Sequence, residues 1–446
     1  MKLPTLNPIR VKSDNKIIAF TGLNRNTRIN DNEIADCKNI TLRNPGIVEP
    51  RPSREYISQT ANCYDIYFAN GKQIVVASIL GTVRFIYDNV AKGTVTAGIK
   101  TMVDFNNKII IMPDKKYYDY KTDTFGTIGA GVYPAAGSCP DMTDITTFMN
   151  RIFGINGKEV YASARGEYND FTTFVPTDPN DLGSEAWQVR IEQQEDYIAI
   201  DKYQNHVVIF KPNSMFELYG AYPTQFRIQE VAEVGCCDRR SIAEVSNVLF
   251  FAHRSGIYNY SGGMPKLISQ KLNIQGDILE AIAGTDGRMY YVSIKTAAEQ
   301  KLFVYDTELN SWIIEDELAI IDIDVLNGIV YALAADGKLY KFNSGNEKVE
   351  WEFTTNHSDE GMTNKKRLTE LVIPIELTDG ASATVLVKTD NELQWNLLAV
   401  DNRQGLHNFR AKCNIRPGER YSIKIAGIGK AKIFSLQKTF AVGGDY

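Results

Sequence analysis

The chain has 446 residues with 49 basic and 54 acidic side chains, a formal net charge of -5, and is 43% hydrophobic and 11% aromatic. That length and apolar content suffice for a large core and more than one domain, while the dispersed cations lack the clustered footprint that tight binding to phosphates requires. No stretch approaches the roughly 18 consecutive apolar residues of a membrane-spanning helix, and Met1 to Lys16 lacks the continuous apolar run of a signal peptide, so neither membrane insertion nor export by that route is expected.

Residues 1–60 are polar, with Asn24, Asn26, Asn30, Asn32, Asn39 and Asn44 and the prolines Pro45, Pro50 and Pro52. They predict an extended N-terminal arm lying over other elements. Residues 61–352 repeat one unit at intervals of roughly 40 to 50 residues: apolar strand, turn, second strand, turn, aromatic-rich third strand. Copies begin near Tyr64, Met102, Thr147, Ile198, Ile242, Ala281 and Ile321, with turns at Asn70-Gly71, Asn106-Asn107, Asn156-Gly157, Asn205, Asn247, Asp286-Gly287 and Asn327-Gly328. Asn-Gly and Asp-Gly suit two-residue hairpins because both central positions need positive φ. Loose alternation, as in Val207-Val208-Ile209-Phe210, fits strands buried on both faces. A β-propeller of about seven blades is predicted, and the arm is one candidate to complete its last sheet. A polar insertion, residues 169–187, reads as a long loop available for partner contact. Residues 353–446 change to longer alternating strands, such as Leu371 to Leu377 and Ala383 to Val387, and predict a small C-terminal β-sandwich. The fold class is all-β.

Chemistry is sparse. Cys37, Cys63, Cys139, Cys236, Cys237 and Cys413 have no metal-ligand spacing, and His206, His253, His357 and His407 form no close pair. Gly427-Ile428-Gly429 reads as a turn between strands, since a phosphate cradle would need a helix after it. Asp322 and Asp324 share a strand face and could hold a cation or act as a hydrolytic pair, but a solvated edge is the favoured reading. Trp187, Trp312, Trp351 and Trp395 are too dispersed for a sugar-stacking platform. No catalytic, cofactor-binding or metal residue is assigned, and no enzyme activity or cofactor is expected.

Several segments, in order along nearly the whole chain, resemble the tail hub or nozzle propeller proteins of tailed bacteriophages, the group that includes packaged-DNA stabilisation proteins. They are Thr21-Gly22-Leu23-Asn24 with Asp31 to Ile40; Asn150-Arg151-Ile152-Phe153-Gly154 with Tyr168-Asn169-Asp170-Phe171; Val208 to Lys211 and Ser214 to Gly220, continuing through Gly235-Cys236-Cys237, Ser241-Ile242-Ala243 and Gly256-Ile257-Tyr258; and Lys365-Lys366-Arg367-Leu368 with Val442-Gly443-Gly444-Asp445.

The resemblance implies a structural virion protein, made and assembled in the host cytoplasm. It implies a homo-oligomeric ring of about six copies below the portal and adaptor, other tail proteins as partners, and transient passage of double-stranded DNA. The ring axis would then be the channel, and the propeller's own hole need not be. Candidate interface residues are Asp170, Phe171, Pro176, Pro179 and Trp187 of the insertion and Lys365, Lys366 and Arg367 of the C-terminal domain. The alternative is a receptor- or glycan-binding propeller at a tail tip.

Overall fold

The computed structural model describes residues 11–442 except 177–182, 193 and 391. Seven four-stranded antiparallel sheets follow one another around a ring, as blades 1 to 7. The innermost strands, in blade order, are Cys63–Ala69, Thr101–Phe105, Asp144–Phe148, Ala199–Tyr203, Ala243–Val245, Glu280–Thr285 and Ile320–Leu326. Inner-strand turns adopt the expected left-handed geometry at Asn70-Gly71, Asn106-Asn107, Ser246-Asn247 and Asn327-Gly328.

Blade 3 departs from the expected register. Its inner turn is Met149-Asn150, both at positive φ, and Gly157-Lys158, directly after Asn156, makes the next turn, between Arg151–Asn156 and Glu159–Ala162. Each blade also has a fourth, outermost strand, often short and poor in apolar residues, as in Val90–Thr94 and Lys266–Leu267.

Blades adhere through their faces. In His206–Phe210, Val207 and Ile209 enter the core shared with blade 3, whereas Val208 and Phe210 enter the core shared with blade 5. Alternation between two apolar neighbours is what erases the polar half of the strand pattern.

The arm closes the ring. Ser53–Gln59 is the outermost strand of blade 7, paired with Lys338–Gly345. Arg54 fastens it to blade 6, with Nη2 2.6 Å from Glu315 and Nη1 2.7 Å from Asp316; Arg51 lies 3.4 and 3.5 Å from the same carboxylates. Burial would raise the Asp316 carboxyl, but the Arg54 charge and hydrogen bond overcome it and hold the group below the usual carboxylate range.

Where two separate C-terminal sheets were expected, one curled eight-stranded sheet is found, and it recruits Val11–Ile17 and Ile34–Lys38 from the arm. Its spine, Lys366–Thr389, changes register between Thr378 and Ser382, where Asp379 and Gly380 both take positive φ. The bend lets one strand serve both halves of the curl. Leu371, Ile373, Val385 and Phe440 share a continuous core with Ile34 and Cys37 of the arm and Trp312 of blade 6, which docks this sheet on the propeller's side.

Candidate functional site

An innermost strand has no partner on its axial side, so its outward N–H groups need other acceptors. Carboxylates supply them between blades. Asp322 of blade 7 accepts from Ile66 N at 2.8 Å and Asp324 from Phe68 N at 2.5 Å, both in blade 1. Asp65 of blade 1 accepts from Lys100 N before blade 2, Asp144 of blade 3 from Ile200 N of blade 4 at 2.8 Å, and Asp238 from Ala281 N of blade 6 at 3.3 Å. Thr101 of blade 2 donates to Asp144 at 3.1 Å, and Thr146 of blade 3 donates to Asp201 of blade 4 at 3.2 Å. Asp322 and Asp324 are therefore neither a solvated edge nor a free cation pair: Asp322 is a buried and Asp324 a half-buried acceptor, and both link the last blade to the first.

The turn Arg239–Ser241 between blades 4 and 5 adds two guanidiniums. Arg239 reaches Asp144 of blade 3 at 3.1 Å and the Lys100 carbonyl, while Arg240 reaches the Ile321 carbonyl of blade 7 at 3.1 Å and Asp238 at 2.8 Å. One turn thus bridges toward opposite sides of the ring, and that end of the axis is crossed by protein. The turn is fixed from below. The buried Ser241 hydroxyl donates to Asp238 O at 2.6 Å and accepts from Ala252 N at 2.9 Å, and Tyr290 OH donates to Ser241 O at 2.7 Å. A side chain at Gly235 would meet the Lys211 carbonyl at 1.9 Å, so only glycine lets the two segments approach.

Burial sets the electrostatics. It raises Asp65 well above the usual range, helped by Asp322 beside it, and raises Asp201 to about 6 and Asp324 to about 7. Asp144 is raised as well, its burial outweighing the Arg239 charge. These groups are built to accept hydrogen bonds in a dry interface. Among the described residues, no group of three or more His, Cys, Asp or Glu side chains is arranged to hold a metal.

The proposed interface residues fall in different environments. Phe171 is 1% exposed within the core between blades 2 and 3, and Lys366 is fully buried, its Nζ donating to the Met362 carbonyl at 2.9 Å and to the Glu419 carbonyl. Both correct the expectation: they support their surroundings from inside and present nothing to a partner. Asp170 caps a turn by accepting from Thr172 N and Thr173 N, each at 3.0 Å. Trp187 is half-buried edge-on against Phe226 of blade 4, with ring centres 5.2 Å apart. Pro176 and Arg367 are half-buried, Lys365 is exposed, and Pro179 lies outside the described residues.

Among the described residues of the insertion, the exposed apolar side chains are instead Phe174 and Val175. Arg151, buried, anchors the loop by donating to Ser163 O and Glu185 O, each at 2.6 Å, and to Gly183 O. Trp312 is buried with its N–H on the Ile268 carbonyl at 2.9 Å and offers no face to a sugar. Sequence reasoning missed Arg151, Arg239 and Arg240 as a functional set. Their signal, arginines beside a turn or in a repeat-joining loop, is too common to single them out.

Fold and site together define an all-β protein in which a seven-bladed propeller, crossed at its axis, carries a curled sheet on its flank. No family model matches the chain, and no curated protein matches it in sequence. Solved structures similar to it include the extracellular domain of BT4673 from B. thetaiotaomicron, described as part of a two-component system, at 9% identity and a TM-score of 0.48 over 90% of this chain and 63% of that one. A second structure of that extracellular domain matches at 10% identity and a TM-score of 0.46, covering 91% and 62%. An exported protein of Bacteroides fragilis aligns over 52% of this chain and 78% of its own, at 12% identity and a TM-score of 0.32. This chain thus spans less than two thirds of the BT4673 domain's length. At such identities and scores, the likeness concerns the fold and carries no function across.

Proposed function

We propose that this chain is a non-enzymatic structural protein of a bacteriophage tail, of the hub or nozzle kind, which assembles with copies of itself into a ring around the DNA exit path. The observation that carries this reading is the crossed axis. A propeller whose bore is bridged by Arg239 and Arg240 and walled by inter-blade hydrogen bonds serves as a rigid block whose work is done at its outer surfaces. DNA then passes along the symmetry axis of a ring of about six such blocks, and contacts between neighbours are head to tail, one patch meeting a different one.

Three features support the reading. Gly235-Cys236-Cys237 and Ser241, parts of the resemblance to tail proteins, stand on either side of Asp238, Arg239 and Arg240 and hold the crossing turn. The anchored insertion presents Phe174 and Val175 outward. The net charge of -5 repels phosphate weakly, which suits a conduit that retains and then releases a genome. Mixing the purified protein with the adaptor and portal proteins of its phage and following sedimentation tests the proposal. Co-sedimentation as a ring-sized complex is expected, and a particle that stays monomeric with every tail component sinks it.

A further inference from the structure

On one flank the spine strand Lys366–Thr389 pairs with Asn396–Asp401 and Gly405–Lys412 in tandem, and among the described residues no strand pairs with their outer side. Such an edge presents unpaired backbone groups, and proteins ordinarily blunt it with charge or cover it. Gly405–Lys412 follows that practice in its second half, with Arg410 and Lys412 exposed. Asn396–Asp401 does not: Leu397 and Val400 are each 61% exposed, and Leu393 at 91% and Leu406 at 70% lie on either side. Counted along the curled sheet, this edge lies four strand spacings, about 19 Å, from Ile34–Lys38, the strand lying against blade 6.

We propose that Asn396–Asp401 pairs antiparallel with the same strand of a second copy of this chain, about a two-fold axis between Leu398 and Ala399. The first support is the register. Ala399 opposes Val385 and Leu397 opposes Leu386, which leaves Leu398 as a bulge. In a regular antiparallel strand, outward backbone groups recur at every second residue, so a two-fold centred between adjacent residues would set outward groups against inward ones. The bulge shifts that alternation by one. The halves on either side of Leu398 therefore present their outward groups at positions that this centre relates.

The second support is the side-chain complement. Leu397 and Val400 oppose Leu386 and Thr384, which share one face of the spine strand, so they stand on the same face as each other. The two-fold places Leu397 of each copy across from Val400 of the other, an apolar pair formed twice. This contact is isologous, whereas ring contacts are head to tail. It uses a different surface from the insertion, and its failure leaves the proposed ring untouched.

Hydrogen exchange of the full chain, read on peptides covering residues 393–404 across the micromolar range, tests it without any variant. Protection of this segment that rises with protein concentration is expected. Leu397→Lys with Val400→Lys should abolish the concentration dependence and weaken self-association by about tenfold or more, as two apolar pairs become like charges. Leu406→Lys, outside the paired window, should leave both unchanged. Protection that is independent of concentration, or self-association that the double variant does not alter, overturns the proposal.

Discussion

Removing Arg54 should release the strand that closes the propeller. Its guanidinium makes two short bonds, 2.6 Å to Glu315 and 2.7 Å to Asp316, and lies 4.5 Å from the centre of the Phe342 ring. In Arg54→Met the guanidinium left beside the two carboxylates would be that of Arg51, at 3.4 and 3.5 Å, with the Leu318 N–H still on Asp316 at 3.1 Å. Breaking a buried pair by removing one partner costs about 3–5 kcal/mol, because the remaining charge stays buried without compensation. Much of that cost should disappear in the double variant Arg54→Met/Glu315→Gln, giving a coupling of about 1–3 kcal/mol. Native-state hydrogen exchange on Ser53–Gln59 and Lys338–Gly345 reads the opening directly, and denaturant titration reads the global loss. The sign with pH follows from Asp316, whose folded-state pKa is depressed: its stabilisation is present at neutral pH and is lost as pH falls through that pKa. A loss below about 1 kcal/mol, the scale of a surface ion pair, would refute the claim that this cluster fastens the ring.

Other outcomes follow from the axis and the turns. Arg239→Ala removes the bonds to Asp144 and the Lys100 carbonyl; a loss of about 1.5–3 kcal/mol and faster exchange in blades 2 and 3 are expected, and unchanged exchange there would contradict the bridge. Asp324 and Asp201 bind protons more tightly folded than unfolded, so they contribute stability at low pH that declines as pH rises from about 4 toward 7. Asp324→Asn should flatten that part of the stability profile, and an unchanged slope would count against the burial of this carboxyl. Leu80 sits fully exposed at φ 51° in the Leu80-Gly81 turn of blade 1. Leu80→Asn should stabilise by about 0.5–1 kcal/mol, since Asn tolerates the left-handed region, and a lower melting temperature would show that Leu80 packs against something.

Much of the propeller is legible in the sequence because its inner three strands are apolar and joined by residues suited to positive φ, as at Asn70-Gly71 and Asn327-Gly328. The fourth strands are not, because residues such as Val90–Thr94 lie at the rim and carry no burial pattern. Blade 3 misleads for a local reason. Its inner turn uses Met149, a residue with no preference for positive φ, while the more evident Asn156-Gly157 stands at the next turn. The C-terminal sheet reads as two because its spine strand bends at Asp379-Gly380, which resembles a loop, yet pairing continues on both sides of the bend. The axial acceptors were unreadable in kind: an aspartate within a strand looks solvated, and only ring closure brings Asp322 to the backbone of blade 1, 256 positions away from Ile66.

The most direct test of a structural role exercised at outer surfaces is a cryo-electron microscopy reconstruction of tails containing this protein. Several copies in a ring with DNA on the common axis are expected, each propeller set off that axis and each bore crossed by density for Arg239 and Arg240. DNA density running through a propeller's own bore, or tails that lack the protein altogether, would contradict it.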